Sequence, residues 1–304
     1  MRVDPNYVTN LVGSLDQAQA NEQRLTTELS SGVRLTSLSD DPVAAGENVV
    51  LVSQIQKDDS FTTSATMVSS QLQVADSALG SVVTELTSAI SLATSANNGT
   101  MNSSNVKQIA AQLTGILNEV TTLANSNYQG QYIFAGSQNS TAPFSTSTAT
   151  SPAVTTYNGD DDVNYIETPT GQKIQLNVPG DQIFLGSGTS SVFGALNALI
   201  ADYSSGTVNT TQAVSDTTAL NTALNYVSQQ RVTIDNSITQ VTAASSAITS
   251  EKLQLTSVQT GLIQADTATV ATQLSLAETQ QTALEDVIAQ LDSASNDLFS
   301  KLPS

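Results

Sequence analysis

The sequence predicts a mainly α-helical protein, an elongated rod of long antiparallel helices with coiled-coil-like terminal helices and a small inserted β domain. Three observations support this fold class. Apolar residues recur at alternating three- and four-residue steps over most of the chain, as in helices that pack through narrow seams. Aromatic residues make up only 4% of the 304 residues and Trp is absent, so a thick core is not expected. A β pattern replaces the helical period only between about residues 127 and 186.

Composition excludes several functions. The chain has no Cys, so it has no thiolate nucleophile or zinc–thiolate site, and no His, so the commonest general base and the commonest metal ligand are missing. Its formal net charge of −18 means that the chain has no excess of basic residues to attract the phosphates of a nucleic acid. No window approaches about 20 apolar residues, the length of a membrane span, and residues 1–5 do not begin a cleaved secretory signal. We therefore expect no enzyme activity, catalytic residue, cofactor, metal, nucleic-acid partner or membrane span.

The first helical segment covers residues 6–30 and carries one narrow apolar stripe. Its members are Val8, Leu11, Leu15, Ala18, Leu25 and Leu29, with Glu22 in one seam position. Such a stripe has nothing to bury against in isolation, and a short isolated helix is marginal in water. The segment therefore needs a partner helix.

A linker follows, in which the helical spacing breaks at Gly32 and again at Asp41-Pro42. Asp before Pro is a helix start, because the proline ring presets φ and the carboxylate accepts from free N–H groups. The adjacent Asp40 and Asp41 could instead form an acid–base pair, but an N-cap beside its neighbour is the favoured interpretation. The order is thus helix, linker, helix.

Two further helices are predicted, at 42–96 and 103–126. The second half of the longer one keeps a 3.5-residue period without a slip, which predicts supercoiling with a neighbour. Its seam positions are Ala65, Val68, Leu72, Ala75, Leu79, Val82, Leu86, Ala89 and Ala93. The turn signal at Asn97-Asn98-Gly99 separates the two helices.

The next 60 residues or so change to a β pattern. A strand is predicted within 131–136, after a turn at 127–130, and the Ser/Thr-rich stretch 137–151 is predicted to be a loop with one returning strand. Strands at 163–167 and 173–178 flank a Pro-Thr-Gly turn, and 182–185 follows another turn as an extended segment.

Helical periodicity returns at about Ser191 and Gly206 ends that segment. From Asn209 two long helices are predicted, with a break near Val241 and an end near Leu302. A 60-residue helix is about 90 Å long, which is why a rod is expected. The last stretch repeats the narrow stripe at Val270, Leu274, Ala277, Gln281, Leu284, Ile288, Leu291 and Leu298.

The simplest way to bury both terminal stripes is to pair the first helix with the last. At roughly 25 cal/mol per Å² the apolar area offsets little of the ordering entropy, so the pair is expected to be loose until like chains supply further helices. A stable intramolecular coiled coil without an assembly role is an equal alternative. Gln281 either sets the register or faces solvent, and the pattern does not decide between them.

Three domains are predicted from these segments. Residues 1–41 with 262–304 form a terminal helical assembly domain, residues 42–136 with 190–261 form a helical rod domain, and residues 137–189 form the inserted β domain.

Four stretches in this order resemble the flagellin superfamily, and within it the flagellar hook–filament junction proteins, the third hook-associated proteins. Two of them carry the family motif residues, which are Arg34, Asp40, Asp41, Pro42, Gly130, Tyr132, Phe134, Gly136, Pro143 and Phe144. The other two are the Tyr157–Phe184 region and the heptad C-terminus. In flagellins Asp-Asp is usually followed by Ala-Ala-Gly, so Pro42 favours the junction branch.

The resemblance implies an extracellular structural role in the bacterial flagellum. Such proteins are exported without a cleaved signal, guarded by a cytoplasmic export chaperone, and assemble as a ring of like subunits between the first hook-associated protein and flagellin. A flagellin filament subunit is the alternative, and a non-flagellar coiled-coil adhesin or sensor-like protein is a remote one.

Overall fold

The computed structural model describes residues 5–98, 101–147, 154–186 and 191–300. Long helices account for most of them, which confirms the mainly α fold class. In chain order these helices are α1 (Pro5–Ser31), α2 (Pro42–Asn97), α3 (Ser103–Ala124), α4 (Val192–Ser204), α5 (Thr210–Ile263) and α6 (Thr267–Ser300). None of the helices in the described ranges combines the length and apolar character that crossing a bilayer requires.

The β segments form three separate antiparallel hairpins. β1 (Asn127–Tyr128) pairs with β2 (Gln131–Tyr132), β3 (Phe144–Ser147) with β4 (Val154–Tyr157), and β5 (Tyr165–Glu167) with β6 (Lys173–Gln175). The registers place Asn127 opposite Tyr132, Phe144 opposite Tyr157, and Ile166 opposite Ile174. A π-helical turn, Asp181–Leu185, follows.

The chain divides into two compact units. Unit 1 combines residues 1–56 with 251–304, and unit 2 comprises residues 57–250. The division into three domains stays a prediction.

Unit 2 has one continuous hydrophobic core. The predicted seam of α2 is buried in it, including Leu72, Leu79, Val82 and Leu86. Side chains from α3, the β region, α4 and α5 join this core, among them Leu113, Val120, Phe134, Phe144, Ile174, Leu196, Leu220 and Val227. On its surface, Arg231 Nε of α5 lies 2.5 Å from Asp76 Oδ1 of α2.

The predicted helix break near Val241 is wrong, because α5 continues to Ile263. Residues around 241 include no Gly or Pro, and Val241 itself is buried (1% exposed), so nothing stops the helix there. The chain breaks instead at Gln264–Asp266, where Asp266 Oδ1 accepts hydrogen bonds from the N–H groups of Ala268 (3.1 Å) and Thr269 (3.3 Å) and caps α6.

The predicted strands are longer than the observed ones. The strand expected within 131–136 stops at Tyr132, because the carbonyls of Phe134 and Ala135 accept from the N–H groups of Gly180 (2.8 Å) and Gln138 (3.2 Å) and not from a neighbouring strand. The strand expected at 163–167 begins only at Tyr165, since the Asn164 N–H donates to the side-chain oxygen of Asn177 (2.7 Å).

The other corrections concern residues 173–185. The strand expected at 173–178 ends at Gln175. Two residues later the side-chain amide of Asn177 donates a hydrogen bond to the Asp162 carbonyl (3.1 Å). The extended segment expected at 182–185 is the π-helical turn, closed by the Gly186 N–H donating to the Asp181 carbonyl (2.9 Å).

Candidate assembly surface

One stripe of α1 is turned away from solvent. Leu25 is buried (1% exposed), while Leu11, Leu15 and Leu29 are half-buried. Glu22 is half-buried in the same row, so a carboxylate occupies one place of the stripe. The side chain of Val8 lies outside those described.

A matching stripe lies on α6. Val270 and Ala277 are buried, and the positions that continue the heptads are half-buried, namely Leu274, Leu284, Ile288 and Leu291. Gln281 is half-buried in the same row, and its Nε2 donates to Glu285 Oε1 one turn further along α6 (3.0 Å). The side chain of Leu298 lies outside those described.

The two stripes pack as an antiparallel helix pair. The end of α1 meets the start of α6, and the middle of α1 lies across a groove from the middle of α6. Among the described residues this cluster consists of Leu25, Ala265, Val270 and Ala277, with Leu29 and Leu274 against it. Burial at about 25 cal/mol per Å² over so few side chains is small beside the entropy of ordering two helices. Pairing of the terminal helices is thus observed, and its apolar contribution is modest.

The linker closes α1 and pairs with the break between α5 and α6. Gly32 has φ +69°, a left-handed conformation that glycine adopts without strain, and its N–H donates to the Glu28 carbonyl (2.9 Å) as a C-cap. The Arg34 N–H then donates to the Ile263 carbonyl (2.7 Å), and the Ala265 N–H donates to the Gly32 carbonyl (2.9 Å).

Arg34 and Asp41 connect the linker to α2 and α5. Asp41 Oδ1 accepts from the Ala44 N–H (3.1 Å), which caps α2 at Pro42, and Asp41 Oδ2 accepts from Arg34 Nη1 (3.3 Å). Arg34 Nη2 also donates to the Leu262 carbonyl (3.1 Å). The Ala44 N–H and then the Arg34 guanidinium stabilise the carboxylate, so the pKa of Asp41 is lowered.

Asp40 organises the turn before α2. Its Oδ2 accepts from the Ser37 N–H (2.7 Å), the Thr36 hydroxyl (2.9 Å) and the Thr36 N–H (3.0 Å). Donation from Ser37 and Thr36 lowers the pKa of Asp40. Two carboxyls with lowered pKa values are poor general acids near neutral pH, and their donors make them structural groups of the linker.

The second group of motif residues lies in unit 2. Gly130 and Gly136 both have positive φ, and a Cβ on Gly136 would collide with Asp160. Tyr132 lies in β2, and the remaining three, Phe134, Pro143 and Phe144, are buried. The rings of Phe134 and Phe144 lie 5.5 Å and 5.3 Å from that of Phe184. Of these motif residues Phe134 and Phe144 belong to the unit 2 core, and the seam residues and the linker lie in unit 1.

Sequence reasoning missed two features of unit 1. Glu28 is only 5% exposed and accepts from Arg24 Nη1 (3.2 Å), although its position lies beside the predicted seam. The break at Gln264–Asp266 was missed too, and Asp266-Thr267 is the N-cap signal that could have located it.

Residues 6–139 match the bacterial flagellin N-terminal helical region. The flagellar hook-associated protein 3 of Salmonella typhimurium is 33% identical over 143 residues, which is 47% of this chain and 45% of that protein. The protein of the same name from Escherichia coli is 31% identical over 140 residues, or 46% of this chain and 44% of its own. The chain thus spans a little under half the length of the curated relatives it matches.

A solved structure shares the fold over a longer stretch. The crystal structure of the flagellar junction protein FlgL from Legionella pneumophila superposes with a TM-score of 0.58 at 15% identity, covering 72% of this chain and all of that one (100%). The match over residues 6–139 and the curated relatives make the chain similar to proteins of the flagellin superfamily. Among these proteins it is similar to flagellar hook-associated protein 3, the FlgL type.

Proposed function

We propose that this chain is a structural component of the bacterial flagellum that forms the junction between the hook and the flagellin filament. In this role it binds the first hook-associated protein on one side and flagellin on the other, as a ring of like subunits. The observation that most supports this proposal is the α1–α6 pair, whose complementary stripes meet over a small apolar cluster. A pair with so little buried area gains most from additional helices, which neighbouring subunits supply.

The relatives favour the junction over the other two functions. The curated proteins similar to this chain are named hook-associated proteins, and Pro42 follows Asp41 as in that branch. Marginal terminal helices also suit a chain that a cytoplasmic chaperone holds unfolded for export and that orders outside the cell on assembly.

A deletion strain of the bacterium that makes this chain tests the role. We expect intact hooks, flagellin monomers in the medium and no attached filaments, with filaments restored by the wild-type gene. Restoration with Leu25→Asp should fail, since a carboxylate would replace the most buried leucine of the terminal pair, whereas the exposed Val12→Asp should restore filaments. Normal attached filaments in the deletion strain would refute the junction role.

A further inference from the structure

α6 carries a second row of uncharged residues, three of four apolar, beside the stripe that meets α1. Its positions each precede a seam position by one residue, which places them about 100° around the helix. They are Leu276, Gln280, Ala283 and Val287, spaced by four, three and four residues. All four are exposed, with Leu276 at 59% and Val287 at 40%. A helix with two such rows has the pattern of one that contacts two neighbours, and α1 covers only one of them.

This second row borders a groove along the α1–α6 pair. The groove has a volume of about 520 Å³, and α1 lines its other side with small and amide side chains. Its lining residues are Ser14, Gln17, Ala18, Asn21, Gln280, Ala283 and Leu284. We define the uncharged flank as Ser14, Gln17 and Asn21 of α1 together with Leu276, Gln280, Ala283 and Val287 of α6.

Charge is distributed unevenly around the pair. On α6 the acids Glu278, Glu285 and Asp292 recur every seven residues on the side of the seam opposite the uncharged flank. All three are exposed, whereas the uncharged flank itself carries no ionisable side chain. The next charged residues along that side of α1, Arg24 and Glu28, pair with each other at 3.2 Å.

We propose that the uncharged flank is the surface on which a helix of a second copy of this chain packs. This inference rests on the proposed assembly role and assigns it to one face. The chain carries a formal charge of −18, so two copies repel each other wherever their acids meet. A basic partner would be drawn to the acidic side, whereas an equally acidic copy approaches best where charge is absent.

The same contact would enlarge the small cluster of the terminal pair. Covering Leu276 and Val287 removes exposed apolar surface immediately beside Ala277 and Ile288 of the seam. The uncharged flank is therefore continuous with the α1–α6 interface, and one incoming helix would contact both α1 and α6.

Two matched variants test the assignment in the full-length protein. Ala283 and Ala289 are both exposed alanines of α6, six residues apart, and only Ala283 lies on the uncharged flank. Ala283→Glu and Ala289→Glu add the same side chain, the same charge and a good helix former. The self-association constant is measured by sedimentation equilibrium, and circular dichroism checks that both variants keep the wild-type helix content.

We expect Ala283→Glu to weaken self-association at least roughly tenfold, because a charge would enter an uncharged contact, and Ala289→Glu to change it less than about threefold. Equal effects of the two variants, or a wild-type chain that stays monomeric, would overturn the inference. Leu25→Asp separates the two proposals. If it abolishes association while Ala283→Glu does not, assembly through the terminal pair stands and the uncharged flank is not the interface.

Discussion

At the scale of single residues, Asp41 joins the linker to the start of α2. Its carboxylate caps the helix through the Ala44 N–H and accepts from Arg34. Replacing Asp41 with Ala should destabilise unit 1 and lower its urea midpoint, because the Ala44 N–H loses its side-chain acceptor and the Arg34 guanidinium loses one of its two acceptors. Asp286→Ala is the control, since it removes an exposed carboxylate from the middle of α6.

The effect of Asp41→Ala should depend on pH. A pKa lowered in the folded state means that Asp41 stabilises the fold above its ordinary pKa, and that this contribution is lost as the pH falls through the folded pKa. The wild type and the variant should therefore converge in strong acid. A urea midpoint difference that is the same at pH 7 and in strong acid would contradict the capping account.

The pKa of Asp202 is shifted in the opposite direction from that of Asp41. Its Oδ2 atom is buried with no donor among the described residues, and desolvation followed by the nearby Asp216 carboxyl raises its pKa. Ionised Asp202 is therefore unfavourable in the folded state, and the penalty is removed as the pH falls through the raised pKa. Asp202→Asn should raise the urea midpoint of unit 2 at pH 7, because the new amide can donate to Asp216.

That advantage should shrink on acidification, when wild-type Asp202 takes up its own proton. Asp161→Asn, at an exposed position, serves as the control for loss of one negative charge. An Asn variant that is no more stable than the wild type at pH 7 would show that burial of this carboxyl carries no cost.

Residue-scale features were predictable where they are local. Asp41 before Pro42 is a helix start by sequence alone, and the structure has the predicted bond to the first turn. The meeting of Asp202 with Asp216 was not predictable, because it requires α4 and α5 to bring together two residues separated by a helix end and a loop.

At the scale of helices, the α1–α6 pair depends on few side chains. Leu25→Ala should cost roughly 2 kcal/mol, at the low end for a buried leucine because the small cluster can relax around the gap. Val12→Ala on the exposed side of α1 should cost little. The measurement is the urea midpoint followed by a probe on α1, with a probe in unit 2 expected to stay unchanged. Equal losses for the two variants would contradict the assignment of Leu25 to the interface.

Sequence patterns predicted the ends of some helices well and those of others poorly. The ends of α1, α2 and α3 lie within two residues of the predicted ones, because Pro42, Asn98 and the loss of spacing after Ala124 are local signals. The end of α5 is different, since two long-range hydrogen bonds fix it at Ile263: the Arg34 N–H donates to the Ile263 carbonyl, and the Gly32 carbonyl accepts from the Ala265 N–H. In the β region the Asn177 side chain replaces ladder bonds, which no alternation pattern reveals.

For the whole molecule, the two units differ in how their apolar side chains are used. Unit 2 gathers helices, hairpins and a cluster of aromatic rings into one core. Unit 1 buries a short row between α1 and α6 and leaves Leu276, Val287 and other large apolar side chains exposed. The composition predicted that the helices pack through narrow seams. It did not predict which helix faces remain exposed, because that depends on how the helices are arranged.

Amide hydrogen exchange of the full-length protein at high dilution tests the central claim that the terminal helices are held weakly until copies assemble. We expect amides of α1 and α6 to be less protected than those around Leu79 and Leu86 by a factor on the order of 100, and to gain protection when the protein self-associates. Terminal helices that are as protected as the unit 2 core in the dilute monomer would contradict it.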